Sequence, residues 1–453
     1  MTVARRLAEW VGDLRLADVP EPVRDVAGRH LLDGLGTAIG ALRLGEARPA
    51  LAVARGLGGP PEATLPGTRE RLGAPAAALA TGVLVHALDF DDTHAEGLVH
   101  ATAAVLPAAL AVGEQVGATG ADALTAAIAG YELTCRIAAA VPHGFHARGL
   151  HATGVAGVLG AAAVTARLAG LDTATTVNAL GIAGSGAGGL LEFLSTGAST
   201  KQLHPGLAAH TGIIAARLAA AGATGPDSVL EGRYGIWAAL SDRPADPDRA
   251  LRGLGAEWEV TRLTMKPYPV CQLSHATLDA VARILPALAG ADVRGVEAGV
   301  HPDSIPIVCE PAEAKVRPRT PYEAKFSLPW CVAALLVDGR LGVGSFSDAA
   351  LARPELIELA GRIRGVPAQG GTVAADAPGR VVVSLRDGRT LTGEVPRSRG
   401  GPDAPLDDEA LLAKLTDLVG GHAPKLAATV RRLAELPDLG ALLDDLAAGG
   451  SDR

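Results

Sequence analysis

The stretch AAIAGYELTCRIAAAV, residues 126–141, spaces its apolar side chains three and four positions apart in an alanine-rich segment. That spacing predicts a buried helix, and alanine is both the strongest helix former and small enough for close helix packing. The same pattern extends in both directions along the chain, for example in HTGIIAARLAAAG, residues 210–222. The first half of the chain is therefore predicted to be helical.

Beyond about residue 260 the pattern changes to short β-rich runs separated by helices. RVVVSLRDGRTLTGEV, residues 380–395, predicts a hairpin around Asp387-Gly388, because Asp-Gly is a favoured two-residue hairpin turn. Alternating residues also predict strands within 258–269, 294–302 and 304–310. The fold class is therefore predicted to be mainly α, with a large all-helical domain and a smaller α+β lid domain.

The domain boundaries follow from these changes of pattern. We predict a helical domain at residues 1–262 and an α+β lid domain at residues 263–402. DDEALLAKLTDLVG, residues 407–420, returns to helical spacing. Residues 403–453 are therefore expected to pack back on the helical domain and complete it.

The composition excludes several classes of protein. The 453 residues carry 41 Lys and Arg against 49 Asp and Glu, a net charge of −8, which argues against a protein that coats nucleic acid. Four scattered cysteines without a CxxC pair indicate neither a disulfide scaffold nor a structural zinc site. Apolar segments are interrupted by Thr, Pro or Arg, and the first residues lack a signal-peptide core, so we expect a cytoplasmic protein outside the membrane.

Lysine is rare in this chain, with six residues in all. Heavy use of Ala, Gly and Arg is typical of a GC-rich bacterial genome, which replaces Lys by Arg wherever either residue serves. A lysine that persists is a candidate for a role that Arg cannot fill, since its ammonium is compact and can lose its proton when buried. Lys201 and Lys266 both lie in polar motifs.

The first polar motif is HALDFDDTH, residues 86–94, which follows an alanine-rich segment. If the helix continues through it, His86, Asp89 and Thr93 share one helix face. A carboxylate one turn from a histidine can fix its tautomer and raise its basicity. A helix end with solvated acids is the structural alternative.

The same motif permits a metal-dependent alternative. Asp91, Asp92 and Glu96 resemble the magnesium-binding acids of terpene cyclases, which hold a diphosphate through the metal. Such enzymes need a second acidic motif and an aromatic-lined cavity, whereas aromatic residues make up 3% of this chain and no second motif is found. We therefore expect no metal.

Two further segments are rich in glycine and polar groups. The one from His143 through His146 to His151 is predicted to be a loop that opens a helix near Thr153, with helix amides available to an anion. A three-histidine metal site and an ordinary glycine-rich connection are its alternatives. Downstream, GxGxxG at residues 184–189 follows a helical pattern instead of a strand, so it does not predict a dinucleotide site.

Ser199, Thr200, Lys201 and His204 lie within six residues of one another. Two hydroxyls, an ammonium and an imidazole at this spacing can hold a carboxylate through charge-assisted hydrogen bonds. We therefore predict that this segment binds an acidic substrate.

The last motif, KPYPVCQLSH at residues 266–275, contains two prolines that predict a stiff extended loop at the domain boundary. Cys271 is a candidate nucleophile if His275 activates it, although no third residue that would orient the pair is evident. The alternative is that Cys271 forms a small neutral wall of the substrate cavity.

Together, HALDFDDTH, the GLLEF and GASTKQLHPG segments at residues 189–206, and KPYPVCQLSHATLDA resemble the MmgE/PrpD family. That family includes 2-methylcitrate dehydratase, cis-aconitate decarboxylase and an iminodisuccinate epimerase. The resemblance spans residues 5–440. It implies a large helical domain, a smaller α+β lid domain, a homodimer, no cofactor and a small-molecule carboxylate substrate.

The resemblance also implies which residues form the site. The family's catalytic groups correspond to Asp89, Thr93, His100, His151, Lys201 and Lys266. The loop before His100 is one residue longer here than in the family. The family's decarboxylase has a histidine at the position of Cys271 and a tyrosine near that of Trp330. These two departures count against cis-aconitate decarboxylation and less against dehydration or isomerisation.

The chemistry that these residues suggest needs no cofactor. Removing a proton next to a carboxylate builds negative charge there, which Lys201 and Lys266 can stabilise, while His100 or His151 transfers the proton. We predict a cofactor-independent lyase, a dehydratase of a hydroxylated di- or tricarboxylate of the 2-methylcitrate type. An isomerase or epimerase, a decarboxylase and a small-acid binding scaffold are the alternatives. The predicted substrate-binding residues are Ser199, Thr200, His204, Cys271, His275 and Trp330.

Overall fold

The computed structural model describes residues 1–288, 290–368 and 373–451. The predicted α+β domain and C-terminal segment include residues 289, 369–372 and 452–453, which lie outside the described residues. The chain divides into two compact units. The first comprises Met1–Glu192, Thr200–Leu263 and Asp407–Arg453, and the second comprises Phe193–Ser199 and Thr264–Leu406.

The first unit is built from helices. Its longer helices are Val3–Asp13, Glu21–Arg43, Arg48–Gly56, Ala74–Ala87, Thr102–Val116, Gly120–Ala139, Ala152–Leu168, Thr173–Ser185, Thr200–Ala220, Asp408–Val419, Ala423–Arg431 and Gly440–Ser451. Shorter helical segments are Leu16–Asp18, Gly144–Ala147, Ile236–Leu240, Pro247–Leu251, Glu259–Arg262, Gly420–His422 and Leu433–Glu435. Two-residue strands occur at Ala63–Thr64, Arg71–Leu72 and Thr93–His94.

A central helix, Ala152–Leu168, organises this unit. It is apolar on all sides and buried from Ala152 to Ala166, as expected of a helix surrounded by others. It packs against Thr102–Val116, Gly120–Ala139 and Thr200–Ala220. Small side chains at these crossings allow the backbones to approach closely, which accounts for the alanine and glycine content of the first half of the chain.

The C-terminal helices belong to the same unit. Asp408–Val419 and Ala423–Arg431 both pack on the helix Glu21–Arg43, and Lys414 Nζ lies 2.6 Å from Asp33 Oδ1 in that helix. These contacts hold the C-terminal helices against an N-terminal helix of the same unit.

The second unit combines short helices with one mixed sheet. Its strands stand in the order Ile363–Pro367, Val293–Val300, Gly379–Leu385 and Thr390–Val395. The first two are parallel and the other neighbours antiparallel. The predicted hairpin is confirmed: Val381, Val383 and Leu385 alternate inward, as in a half-buried strand.

Helices of the second unit cover this sheet and extend beside it. The helix His275–Ile284 packs on the two hairpin strands. The helical segments of this unit are Phe193–Thr196, Gln272–Ser274, His275–Ile284, Leu285–Leu288, Pro302–Ser304, Ile305–Val308, Ala312–Val316, Pro321–Ala324, Leu328–Asp338, Val343–Ser345, Asp348–Leu351, Pro354–Ala360 and Ala374–Asp376. The fold of the whole chain is mainly α.

One strand prediction is confirmed at two residues alone, and another is wrong. In residues 258–269 the chain forms the 3-10 segment Glu259–Arg262 and the two-residue strand Leu263–Thr264, which ends before two prolines that lack backbone donors. SIPIVCE, residues 304–310, contains the short helix Ile305–Val308. A proline in its first turn costs no hydrogen bond there.

The segment Phe193–Ser199 belongs to the second unit, although the sequence prediction placed it in the helical domain. The ring of Phe193 lies 5.9 Å from that of Phe326, and Arg319 donates a hydrogen bond to the carbonyl of Thr196 at 3.2 Å. Both contacts lie within the second unit, but they join residues that are far apart in sequence. The sequence pattern therefore did not reveal them.

Within the described parts of the chain, no helix has both the length and the apolar character needed to cross a membrane.

Candidate active site

The acid motif begins where the alanine-rich helix Ala74–Ala87 ends. The prediction that His86, Asp89 and Thr93 share one helix face is therefore wrong. Asp89 has a φ angle of 52°, in the left-handed region that Asp tolerates better than most residues. This conformation turns the chain out of the helix, and residues 90–92 form a buried loop before the strand Thr93–His94.

Asp89 forms a buried ion pair with Lys201. The ammonium donates to Asp89 Oδ1 at 2.7 Å, and the two residues are 0% and 5% exposed, respectively. Lys201 lies in the first turn of the helix Thr200–Ala220. A neighbouring residue, Gln202, donates to the carbonyl of Ala87 at 3.2 Å. These bonds join the start of one helix to the end of another.

Two glycines allow this approach of the helices. A Cβ atom on Gly82 would lie 2.7 Å from the Cα of Gly206, and a Cβ on Gly206 would collide with the carbonyl oxygen of Leu79. Larger residues would separate the helices. The spacing of Asp89 and Lys201 therefore depends on glycine at the crossing.

Three buried histidines lie next to this ion pair in the same unit. The ring centroids of His86 and His100 are 4.8 Å apart, those of His86 and His151 5.5 Å, and those of His100 and His151 5.6 Å. One nitrogen of each ring lies within 4.8 Å of the others. The fold thus collects imidazoles from three separate segments; we call these three residues the histidine cluster.

Acceptors on the acid motif orient two of these rings. His86 Nδ1 lies 2.7 Å from Asp91 Oδ2, and His100 Nδ1 donates to the carbonyl of Asp92 at 2.7 Å. The hydroxyl of Thr93 is 3.1 Å from the same nitrogen of His100. In each pair the partner determines which nitrogen carries the proton.

The third ring, His151, is held in a different environment. Its Nδ1 lies 3.1 Å from Nδ1 of His204, and its Nε2 lies 3.2 Å from the hydroxyl of Thr153. Burial, followed by the charge of Lys201, lowers the pKa of His151 well below its ordinary value and that of His204 to about 4. Both imidazoles are therefore neutral at pH 7, and a neutral imidazole can accept a proton.

Hydrogen bonds behind the motif hold Asp92 in place. Its Oδ2 accepts from the hydroxyl of Thr102 at 2.5 Å and lies 2.9 Å from His30 Nδ1. The phenol of Tyr131 lies 2.6 Å from the Thr102 hydroxyl. Asp92 also provides the carbonyl that orients His100. The hydrogen bonds to the Asp92 side chain therefore help to fix the position of the His100 ring.

The magnesium alternative gains no support from this geometry. Asp91 lies against His86, Asp92 against Thr102, and Glu96 is paired with Arg249. Among the described residues the three carboxylates have separate partners and do not form one group.

Several predicted residues lie in the second unit or on the surface. Lys266 and Trp330 are fully buried there. Cys271 is partly exposed, and His275 donates its Nε2 proton to the carbonyl of Val270 at 3.1 Å, so this nitrogen is committed elsewhere than to Cys271. The last two predicted residues, Ser199 and Thr200, are exposed. The nucleophile hypothesis for Cys271 gains no support from this arrangement.

Sequence reasoning did not assign a role to the pair of His86 and Asp91 or to Lys414. His86 was visible in the acid motif, but its partner depends on a tight turn after Ala87. Lys414 Nζ donates to the carbonyl of Phe90 at 2.8 Å, so the C-terminal helix supports the motif. The rarity of lysine was the available signal. Five of the six are at most 7% exposed, namely Lys201, Lys266, Lys315, Lys325 and Lys414.

Comparison with known proteins finds matches along most of the chain. A family model described as the MmgE/PrpD N-terminal domain matches residues 5–248, and the MmgE/PrpD C-terminal domain matches residues 268–436. A cis-aconitate decarboxylase of Aspergillus terreus is 28% identical over 98% of this chain and 94% of its own length.

Two animal relatives are also cis-aconitate decarboxylases. The cis-aconitate decarboxylase of Mus musculus is 28% identical over 81% of this chain and 77% of its own length. That of Homo sapiens is 28% identical over 75% of this chain and 71% of its own length. Since the two domain models together match most of the chain, this protein belongs to the MmgE/PrpD family.

Proposed function

We propose that this protein is a cofactor-independent lyase that acts on a small polycarboxylate. The observation that carries the proposal is the buried group in the helical unit, in which Lys201 and Asp89 lie beside neutral His151. A buried ammonium stabilises negative charge far better than an exposed one, because water does not screen it. Family membership and relatives that are lyases support this class of reaction.

In the proposed mechanism, one set of residues stabilises the developing negative charge and another transfers the proton. Lys201 stabilises the charge that develops on a substrate carboxylate when a carbanion forms beside it. His100 and His151 transfer protons. Thr93 orients His100, and Asp89 orients Lys201. Lys266 is a second carboxylate-binding cation in this scheme, an assignment that rests on the family resemblance.

The reaction that we propose is the loss of water from a hydroxylated di- or tricarboxylate of the 2-methylcitrate type. Dehydration needs one group to remove a proton and another to protonate the leaving hydroxyl, and two separately held imidazoles, His100 and His151, suit those tasks. Cys271 and Trp330 at positions where the decarboxylase has histidine and tyrosine support this choice.

Decarboxylation is the second candidate, because the relatives of this chain include cis-aconitate decarboxylases from a fungus and two mammals. In that reaction the carbanion forms by loss of carbon dioxide, and a histidine then only needs to donate a proton. Lys201 would stabilise the same negative charge.

Incubation in deuterated water distinguishes these reactions. 2-Methylcitrate, citrate and cis-aconitate are each mixed with the protein and followed by NMR and mass spectrometry. We expect an alkene lighter than its precursor by one water, no carbon dioxide, and the same rate after dialysis against a chelator. Carbon dioxide from cis-aconitate would establish the decarboxylase instead. Solvent deuterium in a substrate of unchanged composition would establish an epimerase, and binding without turnover would contradict the enzyme proposal.

A homodimer, which the family resemblance implies, and a cytoplasmic location, which the composition suggests, complete the proposal. Three apolar side chains, Leu207, Ile214 and Leu218, are exposed along the helix Thr200–Ala220. Their spacing places them on one face of the helix, which supports a surface for self-association.

A further inference from the structure

The histidine cluster has the donor set of a metal site, although no single segment of the sequence has the spacing of one. His86 lies near the end of its helix, His100 in the loop after the acid motif, and His151 before the central helix. One nitrogen from each lies within 4.8 Å of the other two. Zinc bonds imidazole nitrogen at about 2.0–2.1 Å, which places neighbouring ligands roughly 3.3 Å apart. The nitrogens would have to approach one another by up to about 1.5 Å to reach that separation.

The outer hydrogen bonds of two rings are those that metal-binding histidines need. A histidine that ligates a metal usually donates its other ring N–H to a carboxylate or a backbone carbonyl, which orients the ring and raises its basicity. His86 has Asp91 Oδ2 at 2.7 Å, and His100 has the carbonyl of Asp92 at 2.7 Å. In these two rings the nitrogen opposite the acceptor would be the metal ligand. His151 contacts His204 and Thr153 through its two nitrogens, so a bound metal would replace one of those neutral contacts.

The charge of the surroundings favours a cation. The buried carboxylates near the cluster belong to Asp33, Asp89, Asp91 and Asp92. The buried ammonium groups paired with them belong to Lys201 and Lys414. Burial raises the pKa of Asp33, so its charge is not counted. Asp91 and Asp92, which contact the rings of His86 and His100 through a carboxylate and a backbone carbonyl, are the acids that would attract a cation.

A second group of potential ligands in the same unit is not expected to attract a cation. His94, Glu96 and Glu259 also lie close together, but Arg249 Nη1 donates to Glu259 Oε1 at 2.8 Å and the same guanidinium pairs with Glu96. The guanidinium already neutralises these carboxylates. A cation would have to displace it.

We propose that His86, His100 and His151 bind a divalent transition-metal ion, zinc in preference to magnesium, and that this binding inhibits the enzyme. Three imidazoles with an open fourth position suit zinc, whereas magnesium prefers oxygen ligands. This part of the proposal rests on the proposed function: because His100 and His151 transfer protons in that reaction, a metal bound to them stops turnover. The metal is an inhibitor here and is not needed for the reaction.

Titration of metal-free protein with cobalt, as a spectroscopic substitute for zinc, tests this proposal without reference to any substrate. We expect one equivalent of Co²⁺ to bind with the visible absorption of nitrogen-ligated cobalt, and one equivalent of Zn²⁺ to displace it. A chelator should reverse both. His86→Asn and, independently, His100→Gln should each weaken binding by at least tenfold, and Asp91→Asn by about 10–100-fold.

Two controls exclude other ligands. His210→Asn changes a histidine whose Nδ1 contacts the Pro75 carbonyl and should leave the cobalt spectrum unchanged. Cys271→Ser should also leave it unchanged, since a thiol site would lose its sulfur absorption. Absence of a one-to-one complex, or a complex insensitive to both His86→Asn and His100→Gln, would overturn the proposal. Because cobalt binding is measured directly, it can fail while the lyase proposal stands, and the reverse also holds.

Discussion

The pair formed by Lys201 and Asp89 shows why this site uses lysine. The ammonium is 5% exposed and reaches a carboxylate that is 0% exposed. An arginine there would bring a larger planar group with five donors into the buried space where the ammonium donates to Asp89 Oδ1 at 2.7 Å. A chain that otherwise prefers arginine has thus retained lysine at a buried position.

Replacing Lys201 by alanine should raise the activation free energy by ~2–4 kcal/mol, because it removes a charge that stabilises the transition state. The measurement is kcat/KM for Lys201→Ala on the best substrate. Lys425→Ala is the matched control, because the Lys425 side chain is 65% exposed and should leave kcat/KM unchanged. Wild-type turnover in Lys201→Ala would contradict the assignment.

At the scale of elements, the site depends on how closely two helices approach. The helix Ala74–Ala87 leads into the acid motif, and the helix Thr200–Ala220 carries Lys201 and His204. Gly82 and Gly206 face each other at their crossing. Without a side chain at either position, the backbones can approach close enough for the ammonium to reach Asp89.

Gly206→Ala should therefore reduce both stability and activity. The added methyl group would lie 2.7 Å from a methyl of Val83 and collide with the carbonyl of Leu79, and overpacking of this kind costs about 1–3 kcal/mol. Urea denaturation measures the loss. Gly28→Ala is the matched control: this helical glycine has nothing within 4 Å of its Cβ position, so alanine should be neutral or stabilising by up to about 1 kcal/mol. Equal effects from both substitutions would refute the packing argument.

At the scale of the whole molecule, the helical unit is assembled from distant parts of the chain. Lys414, near the C-terminus, contacts Asp33 in an N-terminal helix and the carbonyl of Phe90 in the acid motif. Burying so many polar groups makes the stability of this unit sensitive to pH. Burial keeps three imidazoles, His146, His151 and His204, neutral where an unfolded chain would protonate them.

Stability should fall as the pH is lowered from 7 to 5. The unfolded histidines titrate near 6.5, whereas burial lowers the folded pKa of His146 to about 3 and that of His204 to about 4. Between those values the unfolded state binds more protons, so each group removes up to about 1.4 kcal/mol per pH unit. Urea titrations at pH 7, 6 and 5 measure the slope, and His204→Asn should flatten it. A pH-independent wild type would contradict this account.

The amino-acid sequence by itself determined the mainly α fold class, the hairpin and the family. These features depend on local periodicity and on motifs of adjacent residues, such as Asp387-Gly388 and HALDFDDTH, and local patterns need no knowledge of distant contacts. The same reasoning failed at residues 304–310, where alternation predicted a strand and the proline-containing segment forms a short helix.

Only the tertiary structure decided which polar side chains meet. His86, His100 and His151 are as many as 65 residues apart in sequence, yet their rings lie within 5.6 Å of one another. The turn at Asp89, with its left-handed φ angle, also overrode the helical spacing predicted for the acid motif. The physical reason is that side-chain neighbours in a helical bundle are set by packing between helices, and that packing depends on residues such as Gly206 that carry no chemical group of their own.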